Sequence, residues 1–294
     1  MRLVVGYLAT PSGADGLALG VRLARSLKAG LDICMVVPPD RPVPTRVPTD
    51  PGYDSVLVQQ ANRWLAEARV AVPGDVDVEV HVCFDDSFAQ GLIAEAQRLG
   101  AQAIVVGAAG DGVIGRHGIG TVASSLLHSS HVPIALAPRG TRTHDVAQVR
   151  EVTCAIGDRE GADVLLRTAT RACERMDTPL RLVSLVAVDR HPGSADDHRA
   201  AHDAAVAHTR TVLDRSRELI DDGSIRVTSE LAEGDSVESA VGTLTWHEGD
   251  IVLVGSSRLA QQHRLFLGST ASKMLRVLPV PMVVVPKSAD HLDT

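Results

Sequence analysis

One stretch of this sequence is written twice. Residues 102–138 hold an apolar run (residues 103–106) that ends on Gly107. A glycine-rich loop follows, with Gly107, Gly110, Gly112, Gly115, Gly118 and Gly120, then a helix-like segment opened by Thr121 and a second apolar run over residues 132–138. Residues 250–286 repeat the order, with Gly255, Gly268 and the same closing Val-Pro pair. Gly107 and Gly255, Gly120 and Gly268, and Pro133 and Pro281 are each 148 residues apart. A repeat of that length is a duplicated domain rather than a solenoid unit. The chain's 294 residues suffice for two domains of ordinary size.

Each half reads as alternating strands and helices. In the first, residues 3–7 predict a strand, residues 11–13 a turn and residues 14–28 an amphipathic helix. Residues 31–37 predict a second strand, 53–70 a helix and 76–83 a third strand, with Asp86 and Ser87 as a cap for a helix through residue 99. Residues 38–52 hold six prolines in fifteen positions, which excludes helix and central strand there. The second half repeats the order: strands over 151–157, 179–188 and 224–229, helices over 161–176, 198–219 and 237–246, and Asp235 and Ser236 as the matching cap. The expected fold is α/β, two tandem doubly wound domains, each a five-stranded parallel sheet flanked by helices. The domains run over residues 1–138 and 150–294, and the polar, aperiodic residues 139–149 join them. The composition is 45% hydrophobic but 2% aromatic, so the cores are aliphatic, as buried parallel strands require. In such sheets ligands sit beyond the carboxyl ends of the strands at the switch point. That places Gly6, Gly107 and Gly110 at the edge in the first half, and Gly157 and Gly255 in the second.

A strand, a glycine loop and a helix start form a phosphate cradle when backbone N–H groups and the helix dipole converge on an anion. The plainer reading is a connecting loop, and position alone favours it. The spacing G-x2-G-x9-G-(S/T) adds weight, because it resembles the nucleotide-binding motif of the universal stress proteins. Gly107, Gly110, Gly120 and Thr121 match it in full; the second copy has Gly255, Gly268 and Ser269, but Arg258 in place of the second glycine. The resemblance covers nearly the whole chain. It implies ATP or another adenine nucleotide as ligand, with Mg2+ as companion ion, a regulatory role in the stress response and a regulatory protein partner. It also implies that the two halves pair through their last strands as a pseudo-dimer within one chain, with a homodimer as a further step. Carried over, the contact residues are Gly6, Val36, Gly107, Gly110, Asp111, Gly112, His117, Gly120, Thr121 and Val122. The resemblance is broken at Leu8, where the family has an aspartate on the adenine side, and Asp158 stands one place early in the second half. The first half keeps more glycines, so one nucleotide per chain is expected, in the first half. The alternative is an interaction module that has lost its ligand.

The remaining features exclude more than they suggest. A net charge of −7 argues against a general nucleic-acid or membrane-surface binder. No signal-peptide pattern or spanning apolar run is present, so a cytoplasmic location is expected. Cys34, Cys83, Cys154 and Cys173 are scattered without a C-x-x-C pair and read as small buried residues, not as a disulfide frame or zinc site. No metal ligand set is expected. His198 and His202, at i and i+4, read as a solvated helix face, and His128 and His131 as partners of a helix end. There is no P-loop, no G-x-S-x-G elbow and no nucleophile-and-base pair, so no catalytic residue and no enzyme activity is expected.

Overall fold

The computed structural model describes residues 1–39, 52–108, 120–158, 161–187, 195–220, 223–257 and 265–287. The first half runs β1 (Arg2–Gly6), α1 (Pro11–Leu27), β2 (Gly30–Val37), α2 (Gly52–Val70), β3 (Val78–Phe84), α3 (Phe88–Arg98), β4 (Ala103–Gly107), α4 (Thr121–Ser129) and β5 (Ile134–Ala137). The second runs β6 (Glu151–Ala155), α5 (Ala162–Met176), β7 (Leu180–Ala187), α6 (Ala195–Glu218), β8 (Val227–Gly234), α7 (Val237–Thr243), β9 (Asp250–Gly255), α8 (Ser269–Val277) and β10 (Met282–Val285). The strands form one ten-stranded sheet in the order β3-β2-β1-β4-β5-β10-β9-β6-β7-β8. Within each half all pairs are parallel; β5 and β10 join the halves antiparallel, with Ala135 opposite Val283. Pairing the two apolar last strands removes the edge that each half would otherwise expose.

Two apolar layers fill the faces of the sheet, and both cross the join. One holds Leu19 of α1, Leu65 of α2, Leu165 of α5 and Leu213 of α6. The other holds Leu92 of α3, Leu126 of α4, Val241 of α7 and Met274 of α8. The centre is built almost wholly from Leu, Ile, Val and Ala, as the aromatic-poor composition requires.

Several local expectations shift. Residues 11–13 are not a turn before α1 but its first turn: Thr10 caps the helix by accepting from the Gly13 N–H, and Pro11 sits at the first helical position, where its missing N–H costs nothing. β8 extends to Gly234, because all eight of its residues pair with β7. α7 stops at Thr243, three residues early, and the Trp246 indole N–H donates back to the Val241 carbonyl at 3.3 Å. Most of the proline-rich segment, residues 40–51, lies outside the described residues.

Residues 139–149 contain a short 3-10 turn at Thr141–Thr143 and lie along α1. The buried Asp15 carboxylate accepts from the backbone N–H groups of Gly140 (3.1 Å) and Arg142 (3.0 Å) and from the Arg142 guanidinium (2.9 Å). Arg22, also buried, donates to the Val146 carbonyl, and Ser26 accepts from the Val149 N–H at 2.8 Å. The polar residues of α1 that face inward therefore each find a partner in the connecting segment, which acts as a strap.

Candidate functional site

In both halves the outermost strand order reverses beside the first strand, between β1 and β4 and between β6 and β9, so each half has a crevice at its carboxyl edge. In the first half, Gly6 ends β1 and Gly107 ends β4. The Gly120 N–H donates to the Ala108 carbonyl at 3.0 Å, tying together the two stems of the glycine-rich loop, and Thr121 opens α4. α4 has no side-chain cap bond at Gly120, so its first N–H groups are not spent on a capping residue. Thr121 is exposed, and Val122 packs against the inner layer. Gly110, Asp111, Gly112 and His117 lie outside the described residues, as does Arg258.

Packing alone accounts for three of the first-half residues expected at the ligand. A Cβ on Gly107 would collide with the carbonyl and hydroxyl of Ser12, in the first turn of α1. A Cβ on Gly16 would stand 2.8 Å from the Gly107 nitrogen, so the helix and strand backbones meet directly. A Cβ on Gly6 would strike the Leu92 side chain. Val36 is buried with its methyl groups over Gly91, at 2.7 Å from where a Cβ on Gly91 would lie. Close approach explains these glycines without any ligand.

The second half keeps its crevice open. A cavity of about 400 Å3 lies over the ends of β6 and β9 and beneath α5, α6 and α8. A Cβ on Gly255 would have Leu165 Cδ2 no nearer than 3.6 Å, and a Cβ on Gly157 would meet nothing within 4 Å. Apolar walls come from Ile156, Leu165, Val254 and Met274. Asp158, His208, Ser257, Thr270 and Lys287 supply polar groups, and His208 Nε2 is 3.3 Å from the Asp158 carboxylate. α8 begins at this cavity with Gly268 as its cap, again without a side-chain cap bond. The loop stems are tied by Ser257 N–H to the Phe266 carbonyl (2.8 Å) and by Phe266 N–H to Ser256 Oγ (2.8 Å). The neighbouring Leu265 N–H donates to the Ser130 carbonyl, and Phe266 meets the His128 ring edge-on at 5.0 Å, so this loop is anchored on the first half.

An apolar-walled cavity of this size, with a few polar groups and a helix start at its rim, has the make-up of a small-molecule site, and the helix start is the part suited to an anionic group. Asp158 was marked in the sequence as a displaced family aspartate, and it does line this cavity. His208 and Lys287 were not legible: one lies in a long polar helix and the other beyond the last strand, and only the fold brings them to Gly255. Of the histidine pair at 198 and 202, the described His202 has Nε2 3.0 Å from Glu233. His128 Nδ1 lies 2.6 Å from the Ser124 carbonyl, one turn back in its own helix. Among the described residues no helix is long and apolar enough to cross a membrane.

Comparisons with known proteins agree with the repeat. The universal stress protein family model matches twice, over residues 1–138 and 148–286. A universal stress protein of Mycobacterium tuberculosis is 29% identical over 297 residues, covering 97% of this chain and all of the relative; one of Mycobacterium bovis matches equally. Among solved structures, a universal stress protein from Archaeoglobus fulgidus superposes with a TM-score of 0.65 at 17% identity, covering 98% of this chain and 97% of that one. A functionally unknown protein from Pseudomonas aeruginosa superposes with a TM-score of 0.57. Two family matches in tandem, over a sheet with the same strand order in each half, make this chain a two-domain member of the universal stress protein family.

Proposed function

We propose that this chain is a regulatory protein of the stress response that binds an adenine nucleotide, and that the nucleotide occupies the second-half cavity. The observation that carries the choice of half is the space at the strand ends. It is open at Gly157 and Gly255, and taken by Ser12 at Gly107. In this reading the apolar walls hold the base. The start of α8 and the Lys287 ammonium face the phosphates, with Mg2+ as their counter-ion. Binding changes the contacts between α5, α6 and α8, which is the surface a partner protein reads. No hydrolysis is part of this proposal.

A second reading keeps the nucleotide in the first half. It is favoured by the complete match at Gly107, Gly110, Gly120 and Thr121, a loop whose stems are closed by the Gly120–Ala108 hydrogen bond. Isothermal titration with ATP separates the two. Gly157 does not adopt a positive φ, so Gly157→Leu fills the cavity without backbone strain. It is expected to weaken binding at least about 100-fold, or ~2.7 kcal/mol, while Gly110→Arg leaves binding unchanged. The opposite pattern overturns the second-half assignment and supports the first. No heat from the unaltered chain at millimolar ATP overturns nucleotide binding and leaves an interaction module.

A further inference from the structure

At the far edge of the first half, β2, β3 and α3 bring together two thiols and a carboxylate that the mechanism above does not use. Cys34 on β2, Cys83 on β3 and Glu95 on α3 each offer one ligand atom, and these atoms all lie within 4.8 Å of one another. The register explains the meeting. Cys34 pairs with His81 and Val36 with Cys83, so Cys34 and Cys83 project from the same face of neighbouring strands, diagonally across the ladder. α3 covers that face and lowers Glu95 onto it. Both cysteines are free thiols.

We propose that Cys34, Cys83 and Glu95 form a binding site for a thiophilic divalent cation of the Zn2+ class. A tetrahedral ion with bonds of about 2.3 Å to sulfur sets its sulfurs about 3.8 Å apart, which small side-chain rotations reach from the observed cluster. Two thiolates and a carboxylate make a donor set that suits Zn2+ and disfavours Mg2+ and Ca2+. Three protein ligands leave the fourth tetrahedral position to water, on the side where Cys83 and Glu95 reach solvent. Cys34 is fully buried, whereas Cys83 is half-buried and Glu95 is 12% exposed, so the site has an entry path.

The surroundings hold the ligands in place. Arg98 donates to both Glu95 oxygens, at 2.9 and 2.5 Å, and each oxygen keeps a further lone pair for a metal. His81 Nδ1 lies 3.7 Å from Glu95, and its Nε2 is 2.8 Å from the buried Asp32, which is held in turn by Arg2. Hydrogen-bonded partners behind a ligating carboxylate, as Arg98 stands behind Glu95, orient ligands around protein-bound zinc. The bound ion would clip the sheet's edge strand β3 to β2 and α3, so the first half gains stability with metal.

The test uses the full chain, reduced with a phosphine and freed of metal. Titration with Co2+ is expected to raise a thiolate-to-cobalt charge-transfer band in the near ultraviolet that saturates at one equivalent. Zn2+ should displace it, raise the melting temperature and slow alkylation of Cys83. Cys83→Ser, at a half-buried position that tolerates the change, should abolish the band. Glu95→Gln should weaken Zn2+ binding by more than about 10-fold, and Cys173→Ala should change neither. A reduced, folded chain that shows no band and no Zn2+-dependent protection of Cys83 overturns the proposal, as does a band that survives Cys83→Ser.

Discussion

The carboxyl ends of β1 and β4 and those of β6 and β9 hold the same place in the two halves, yet the α1 backbone packs directly on the end of β4, whereas a cavity lies over the ends of β6 and β9. The difference comes down to a few residues. α1 presents Gly16 to the Gly107 nitrogen, and the two backbones touch. α5 presents Leu165 to Gly255, and its Cδ2 and Cβ lie 3.6 and 3.9 Å from where a Cβ on Gly255 would stand, so a side chain rather than backbone meets this strand end at ordinary contact distance. The strap reinforces the contrast. Residues 139–149 press α1 down through Asp15, Arg22 and Ser26, whereas the corresponding turn of α5 carries the apolar Val164 and Leu165. Glycine at a strand end thus means different things in the two halves: contact in the first, space in the second.

The contrast can be broken at the helix–strand contact. Gly107→Ala must push its Cβ into Ser12, at a cost of about 3 kcal/mol, the upper end for overpacking. Gly255→Ala has room and should cost under about 0.5 kcal/mol. Equal shifts in the urea midpoint for the two variants would mean that the crevices are alike. Loosening the strap should have the next largest effect. Asp15→Ala leaves two backbone N–H groups without their acceptor, while the Arg142 guanidinium keeps the Pro11 carbonyl, and is expected to cost about 2 kcal/mol. It should also raise hydrogen exchange at Gly140 and Arg142. Unchanged protection there would show that the segment holds α1 by other means. The smallest effect concerns the matching caps. Ser236 and Ser239 exchange reciprocal bonds in a capping box, while Ser87 accepts one long bond of 3.4 Å from the Gln90 N–H. Ser236→Ala should cost about 1 kcal/mol and Ser87→Ala about half that. A larger loss at Ser87 would reverse the order of the caps.

The thiols divide along the same line. Burial pushes Cys154 and Cys173 up to about 12, so both stay protonated and inert at neutral pH. Cys83 is held below the usual thiol value by a hydrogen bond from Cys34, against its own burial. The four cysteines read alike in the sequence, as small buried residues. Cys34 and Cys83 differ because β2 and β3 are adjacent, a fact of pairing that a separation of 49 residues conceals.

Much of the architecture was legible beforehand. The 148-residue repeat implied two domains, hydrophobic runs without aromatics implied buried parallel strands, and Ser87 and Ser236 marked helix starts that the structure keeps. These are local signals: periodicity, capping chemistry and turn residues act within a few positions, so a linear reading captures them. The family motif was legible for the same reason, as a spacing along the chain. What the tertiary structure alone decided is which surfaces meet. Gly107 faces Ser12, Gly255 faces a cavity, and Asp158, His208 and Lys287 gather at that cavity from three separate elements. Whether a glycine marks a ligand or a neighbouring backbone depends on the distance between a helix and a strand. Whether backbone or side chain meets the strand end, as at Gly16 and Leu165, follows from contacts that sequence spacing does not encode.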